Sequence, residues 1–243
     1  MLNITINDSL FTLKPHQSPA LLSHDKGDGY GNGSVSWLPD GLFLHEIIDT
    51  LCPQNHQQII GALRNKEILT LESFITSDCS LEWITLGEPL AEQLLDDMLR
   101  LLINYVMFEL FPQYQRLNST LAQQYFFIIP STQPLSAQAL ASLNERLKYY
   151  LAKPPQITTR LENTNKVIRQ LAAQKQNYLA QTLLAQNTGE PLYVHKIGEN
   201  FLDPARLKGM IPLSAIKEAI IDSQEITAFD DFSVLILSAR CCW

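Results

Sequence analysis

Histidine, cysteine and the carboxylates are the side chains with which this chain could hold a metal or attack a substrate. His45 and Asp49 stand four apart in HEIID, so a helix would set both on one face, within reach of a single metal ion. A zinc protease needs HExxH and a di-iron site needs a repeated ExxH, and neither is present. Cys79 follows Asp78 directly, and His195 lies far downstream. A Cys–His nucleophile is conceivable, but nothing local lowers the pKa of the thiol. Glu109 sits in VMFELF, where burial would raise its pKa, as happens to carboxylates at active sites, and make it a catalytic candidate.

The other unusual stretch is GDGYGNGS, residues 27–34, which holds four of the ten glycines. It does not satisfy GxGxxG and lacks the Gly-Lys-Ser/Thr of a phosphate loop. Asp25, Asp28 and Asn32 could offer oxygens to a cation. Tyr30 replaces one EF-hand ligand, however, and Pro39 stands where the bidentate glutamate belongs. No metal and no cofactor are expected. A flap over a site, spanning 24–36, is the functional alternative for this loop.

The whole chain bounds these readings. Its 243 residues are 46% hydrophobic and 18% charged, a globular composition with no apolar run long enough for a membrane span. The start lacks a secretory pattern, and the four cysteines have neither disulfide-scaffold nor zinc spacing, so a cytoplasmic protein is expected. The net charge of −7 is uneven. Between residues 146 and 175, Arg146, Lys148, Lys153, Arg160, Lys166, Arg169 and Lys175 face only Glu162. That segment therefore carries +6 and the remainder −13. With so acidic a remainder, the expected partner is an acidic protein surface or a second copy rather than nucleic acid. Trp243, closing the sequence RCCW, could anchor such a contact.

Elements must position these residues. Alternation in LNITI and LFTLK around Asn-Asp-Ser predicts an N-terminal hairpin. Helices are predicted over 41–51, capped by Asp40, and over 55–63, capped by Asn55. ILTLESFIT and LEWITL suit strands. Residues 88–111 predict a long helix whose second half is apolar nearly all round and forms the core. YFFII reads as a strand, Pro134 opens a helix, and a long helix is predicted over 159–186. PLYVHKI and FSVLILSA read as strands, with short helices predicted after Asp203 and over PLSAIKEAIIDS. The expected fold is α+β, helix-rich around 88–111 with strands from both chain ends. It is expected as one domain with a weak subdivision near 112–125. No catalytic motif is complete, so the expected function is a non-catalytic subunit or adaptor of a multiprotein assembly. An enzyme with dispersed catalytic residues is the alternative.

Overall fold

The computed structural model describes residues 1–14, 41–121, 123–186, 189–204, 211, 213–229 and 232–242, with the backbone alone for 118–121. The fold is α+β. Its residues group into two compact units, Met1–Ala91 and Glu92–Trp243. Residues 112–125 lie inside the second.

In the first unit, β1 (Leu2–Ile6) and β2 (Ser9–Leu13) form the expected hairpin, with Leu2, Ile4 and Ile6 buried. Asn7 and Asp8 both have positive φ, the requirement of a two-residue turn whose twist matches the strands. Next come β3 (Leu42–Phe43), α1 (Leu44–Leu51), β4 (Ile59–Arg64), β5 (Glu67–Leu69), β6 (Phe74–Ile75) and β7 (Cys79–Thr85). Five strands share one sheet in the order β2-β1-β7-β4-β5, with β1 and β7 parallel, while β3 pairs with β6. Leu44, Ile47 and Ile48 of α1 join Ile4, Ile59, Ala62 and Leu81 in the core.

Two expectations fail here. The first helix begins at Leu44, because Leu42 and Phe43 pair with β6 and the Glu46 carboxylate accepts the Phe43 N–H at 2.8 Å. Residues 55–63 are not a helix: one tight turn over His56–Gln58 leads into β4. The β-branched pair Ile59-Ile60 and the two-residue turn at Asn65-Lys66, again with both φ positive, outweigh the helix cap.

The second unit is organised on the expected helix α2 (Pro89–Leu110), from Glu92 onward. From Met98 to Met107 every side chain except Tyr105 is buried. Then follow β8 (Gln115–Leu121), β9 (Gln124–Ile129), α3 (Ala137–Ala152), β10 (Ile157–Glu162), α4 (Thr164–Ala173), α5 (Asn177–Ala185), β11 (Leu192–Ile197), β12 (Phe201–Asp203), β13 (Glu218–Ala228) and β14 (Ser233–Cys242). The last two strands complete a sheet in the order β13-β14-β9-β8. Tyr125, Phe127, Leu235 and Leu237 share its buried face. The outer strand β13 is covered in part: the Asn144 amide accepts the Ile221 N–H at 2.8 Å and donates to the Ile221 carbonyl at 3.0 Å.

The long helix expected over 159–186 is three elements. Residues 157–162 pair with β11, Asn163 caps α4 through its side chain, and Lys175 at positive φ breaks α4 from α5. Residues 218–228 are strand rather than helix, because β14 offers a full-length partner. Asp203 ends a strand, and the helix expected after it lies outside the described residues.

The sheet β10-β11-β12 packs apolar side chains from both faces. Val194 and Leu202 pack on Val167, Leu171 and Leu179 of α4 and α5. On the other face Ile157, Ile197 and Phe201 pack on Leu101, Tyr105 and Phe108 of α2. This alternation is what strand geometry dictates.

Candidate functional site

The face of the β10-β11-β12 sheet that meets α2 carries three rows. Ile157, Ile197 and Phe201 form the apolar row against α2. Two residues along, Thr159, His195 and Asp203 stand in register. Beyond them Leu161 faces Tyr193, both more than half exposed.

The polar row is the anchor of a buried charged centre. The Thr159 hydroxyl and His195 Nδ1 are 3.0 Å apart. Asn104 of α2 donates its amide to Asp203 at 3.1 Å. Arg116 of β8 reaches the same carboxylate at 3.5 Å and donates to the Leu202 carbonyl at 3.0 Å, with its guanidinium 4.6 Å from the centre of the Phe201 ring. Gln176, in the α4–α5 turn, accepts from the Arg116 backbone N–H at 3.0 Å and from its Nε–H at 3.3 Å. It also donates to the Tyr114 carbonyl. Burial pulls the Arg116 pKa down, and Asp203 opposes that shift. Asn104, Arg116, Gln176, His195 and Asp203 are each between 0 and 4% exposed. Buried ions persist only when paired and hydrogen-bonded, and this network ties β8, α2, the α4–α5 turn and β12 together.

A second polar cluster lies where α2 meets the larger sheet. Asp96, Tyr125, Arg100 and Cys241 interact electrostatically there. Burial, with Asp97 and Glu92 nearby, pushes the Asp96 carboxyl up; burial and Asp96 push the Tyr125 hydroxyl up. Burial, then Asp96 and Cys242, push the Cys241 thiol up to about 12.

The residues singled out from sequence fall in both units. His45 and Asp49 share an exposed face of α1, but His45 Nδ1 lies 3.1 Å from the Leu71 carbonyl and its ring stacks on Phe43. Cys79 is half-buried on β7. Burial raises its pKa, Arg64 opposes that, and Asp78 adds to it, so the thiol stays protonated at neutral pH. The Asp78 carboxylate instead accepts the backbone and side-chain N–H groups of Asn3, both at 2.8 Å, which hold it below the usual range. Glu109 is partly exposed near the end of α2, accepting from Tyr150 at 3.0 Å and pairing with Arg146 at 3.5 Å. His195 is buried in the centre described above.

Of the basic residues, Lys148, Lys153, Arg160, Lys166, Arg169 and Lys175 are exposed and Arg146 is half-buried. Lys166 pairs with Glu162, which also binds Lys196. Trp243, Asp25, Asp28, Asn32 and the 24–36 loop lie outside the described residues. Among the described residues no group of three or more His, Cys, Asp or Glu could hold a metal, and no helix is long and apolar enough to cross a membrane.

Of the buried centre, sequence reasoning singled out His195 alone and missed Asn104, Arg116, Gln176 and Asp203. The centre's signals in the sequence are His195, seen there only as half of a Cys–His pair, and Asn104, a lone amide in the apolar half of α2. Nothing local marks Arg116 or Gln176.

Part of the chain is similar to threonine–tRNA ligases. It is 24% identical over 176 residues to that of Rickettsia canadensis (strain McKiel), covering 72% of this chain and 28% of that enzyme. For Rickettsia africae (strain ESF-5) the identity is 21% over 178 residues, covering 73% and 28%. For Rickettsia akari (strain Hartford) it is 22% over the same length. The chain thus spans little more than a quarter of the length of these relatives. No family model matches it.

Proposed function

We propose that this chain is a non-catalytic component of a cytoplasmic assembly that handles tRNA, working by surface contact rather than by making bonds. The observation that carries the reading is the similarity to threonine–tRNA ligases over nearly three quarters of the chain. The separate hydrogen-bond partners of three of the reactive side chains support its non-catalytic half. Acid, base and nucleophile must converge for catalysis. Here His45 is engaged with the Leu71 carbonyl, Glu109 with Tyr150 and Arg146, and His195 with Thr159.

The basic segment supplies the contact. Lys148, Lys153, Arg160 and Lys175 are exposed and make no ion pair among the described residues. Such cations meet phosphates or acidic side chains equally well. The similarity favours phosphates over the acidic protein surface expected from charge alone. The test is equilibrium binding of the purified chain to tRNA, with ligation of threonine to the same tRNA measured in parallel. Binding without ligation is expected. Absence of binding at low salt, or turnover, would overturn the reading.

One observation favours an enzyme instead: Arg116, His195 and Asp203 form a buried cluster of ionisable groups, as active sites often do. On that reading a soluble, folded His195→Gln variant loses an activity the native chain shows.

A further inference from the structure

The C-terminal half of α3 presents an aromatic ring among cations. Tyr149 is 49% exposed. Its neighbour Tyr150 lies 5.2 Å away at 70° and is fixed from below: its hydroxyl donates to Glu109 at 3.0 Å and lies 3.3 Å from the Tyr105 hydroxyl. The Arg146 guanidinium, held by Glu109, is 5.9 Å from both ring centres, and the Lys153 ammonium is 5.8 Å from that of Tyr149. Lys148, one residue before the ring, lines a cavity of about 750 Å³ between α3 and β13, together with Leu151, Ile220, Lys217 and the acidic Glu145 and Glu218.

We propose that this end of α3 docks unpaired nucleotides of RNA, with Tyr149 as the stacking platform and Lys148 and Lys153 as phosphate contacts. The proposal rests on the tRNA-directed reading above and names its surface. An acidic protein would engage the lysines and leave the ring face idle, whereas a nucleotide uses both. The contact of an exposed lysine with a ring is weaker than a base stack, so an incoming base displaces Lys153, whose long side chain then reaches the phosphate. Tyr150, Glu109 and Arg146 hold the platform in place beforehand, which lowers the ordering cost of binding.

The test is fluorescence anisotropy with a labelled, unstructured RNA oligomer and with tRNA. Tyr149→Ala is expected to weaken both about ten-fold or more, while Tyr149→Phe, which keeps the ring, stays within about two-fold. The double variant Lys148→Gln/Lys153→Gln is expected to reduce the slope of log affinity against log salt by about 1.4. If the native chain binds and Tyr149→Ala binds equally well, the surface is wrong and the tRNA-directed reading stands. If the native chain binds neither RNA, both fall. Binding to poly-glutamate as tight as to RNA, and lost equally in Tyr149→Ala, would assign the surface to acidic protein and overturn the proposal.

Discussion

Replacing Asp203 by Asn removes one charge from the buried centre and leaves its shape almost unchanged. Arg116 is 1% exposed and pairs with this carboxylate at 3.5 Å. Its remaining acceptors are neutral: the Leu202 carbonyl and the Gln176 amide oxygen. At an effective dielectric of about 20, that separation corresponds to about 5 kcal/mol of Coulomb attraction. Removing one partner of a buried pair costs about 3–5 kcal/mol, because the surviving charge is stranded. Both figures put Asp203→Asn at a large share of the stability of an ordinary domain. The double variant Arg116→Met/Asp203→Leu strands no charge, so much of the loss is expected to be recovered. Urea unfolding followed by circular dichroism, with tyrosine and tryptophan fluorescence as second probe, reads both variants. A cost under about 1 kcal/mol for Asp203→Asn, or a double variant no better than the single, would refute the reasoning that this pair clamps the second unit.

Three further outcomes follow from particular contacts. Asn144→Ala frees both main-chain groups of Ile221 on the outer strand, so about 1–3 kcal/mol of stability should be lost, and light scattering should show faster aggregation on warming. Hydrogen bonds from Lys166 and then Lys196 hold the Glu162 carboxylate down at about 2. A depressed acid stabilises the fold above its unfolded value and loses that contribution as pH falls through about 2. Carbon-detected NMR titration should therefore show Glu162 charged at pH 3.5, whereas in Lys166→Ala its midpoint moves up. Cys241, raised to about 12, should react slowly with a thiol reagent at pH 8 while the exposed Cys242 reacts fast. Its contribution to stability is intact below the unfolded value near 9 and declines as pH rises toward 12.

Elements with strong local signals were legible in the sequence. The helix over Pro89–Leu110, the N-terminal hairpin and the strands at Gln124–Ile129 and Ser233–Cys242 each carry a period or an apolar run that admits one geometry. The misread stretches are those where a partner decides. Residues 157–162 and 218–228 carry enough polar residues to resemble helix surface, yet the first lies against a strand distant in sequence and the second against the full length of β14. The buried centre was invisible for a related reason. Asn104, Arg116, Gln176 and Asp203 come from four separate elements, and only the fold brings them within bonding distance. The basic segment was visible as charge, but the ring standing among its lysines needed the turn of α3 and the support of Tyr150.

The central claim, that the chain works by contact with tRNA, is tested most directly by titrating purified chain into labelled tRNA at about 50 and 200 mM salt. The account predicts saturable binding at the lower salt that weakens several-fold at the higher. No binding at either concentration would contradict it.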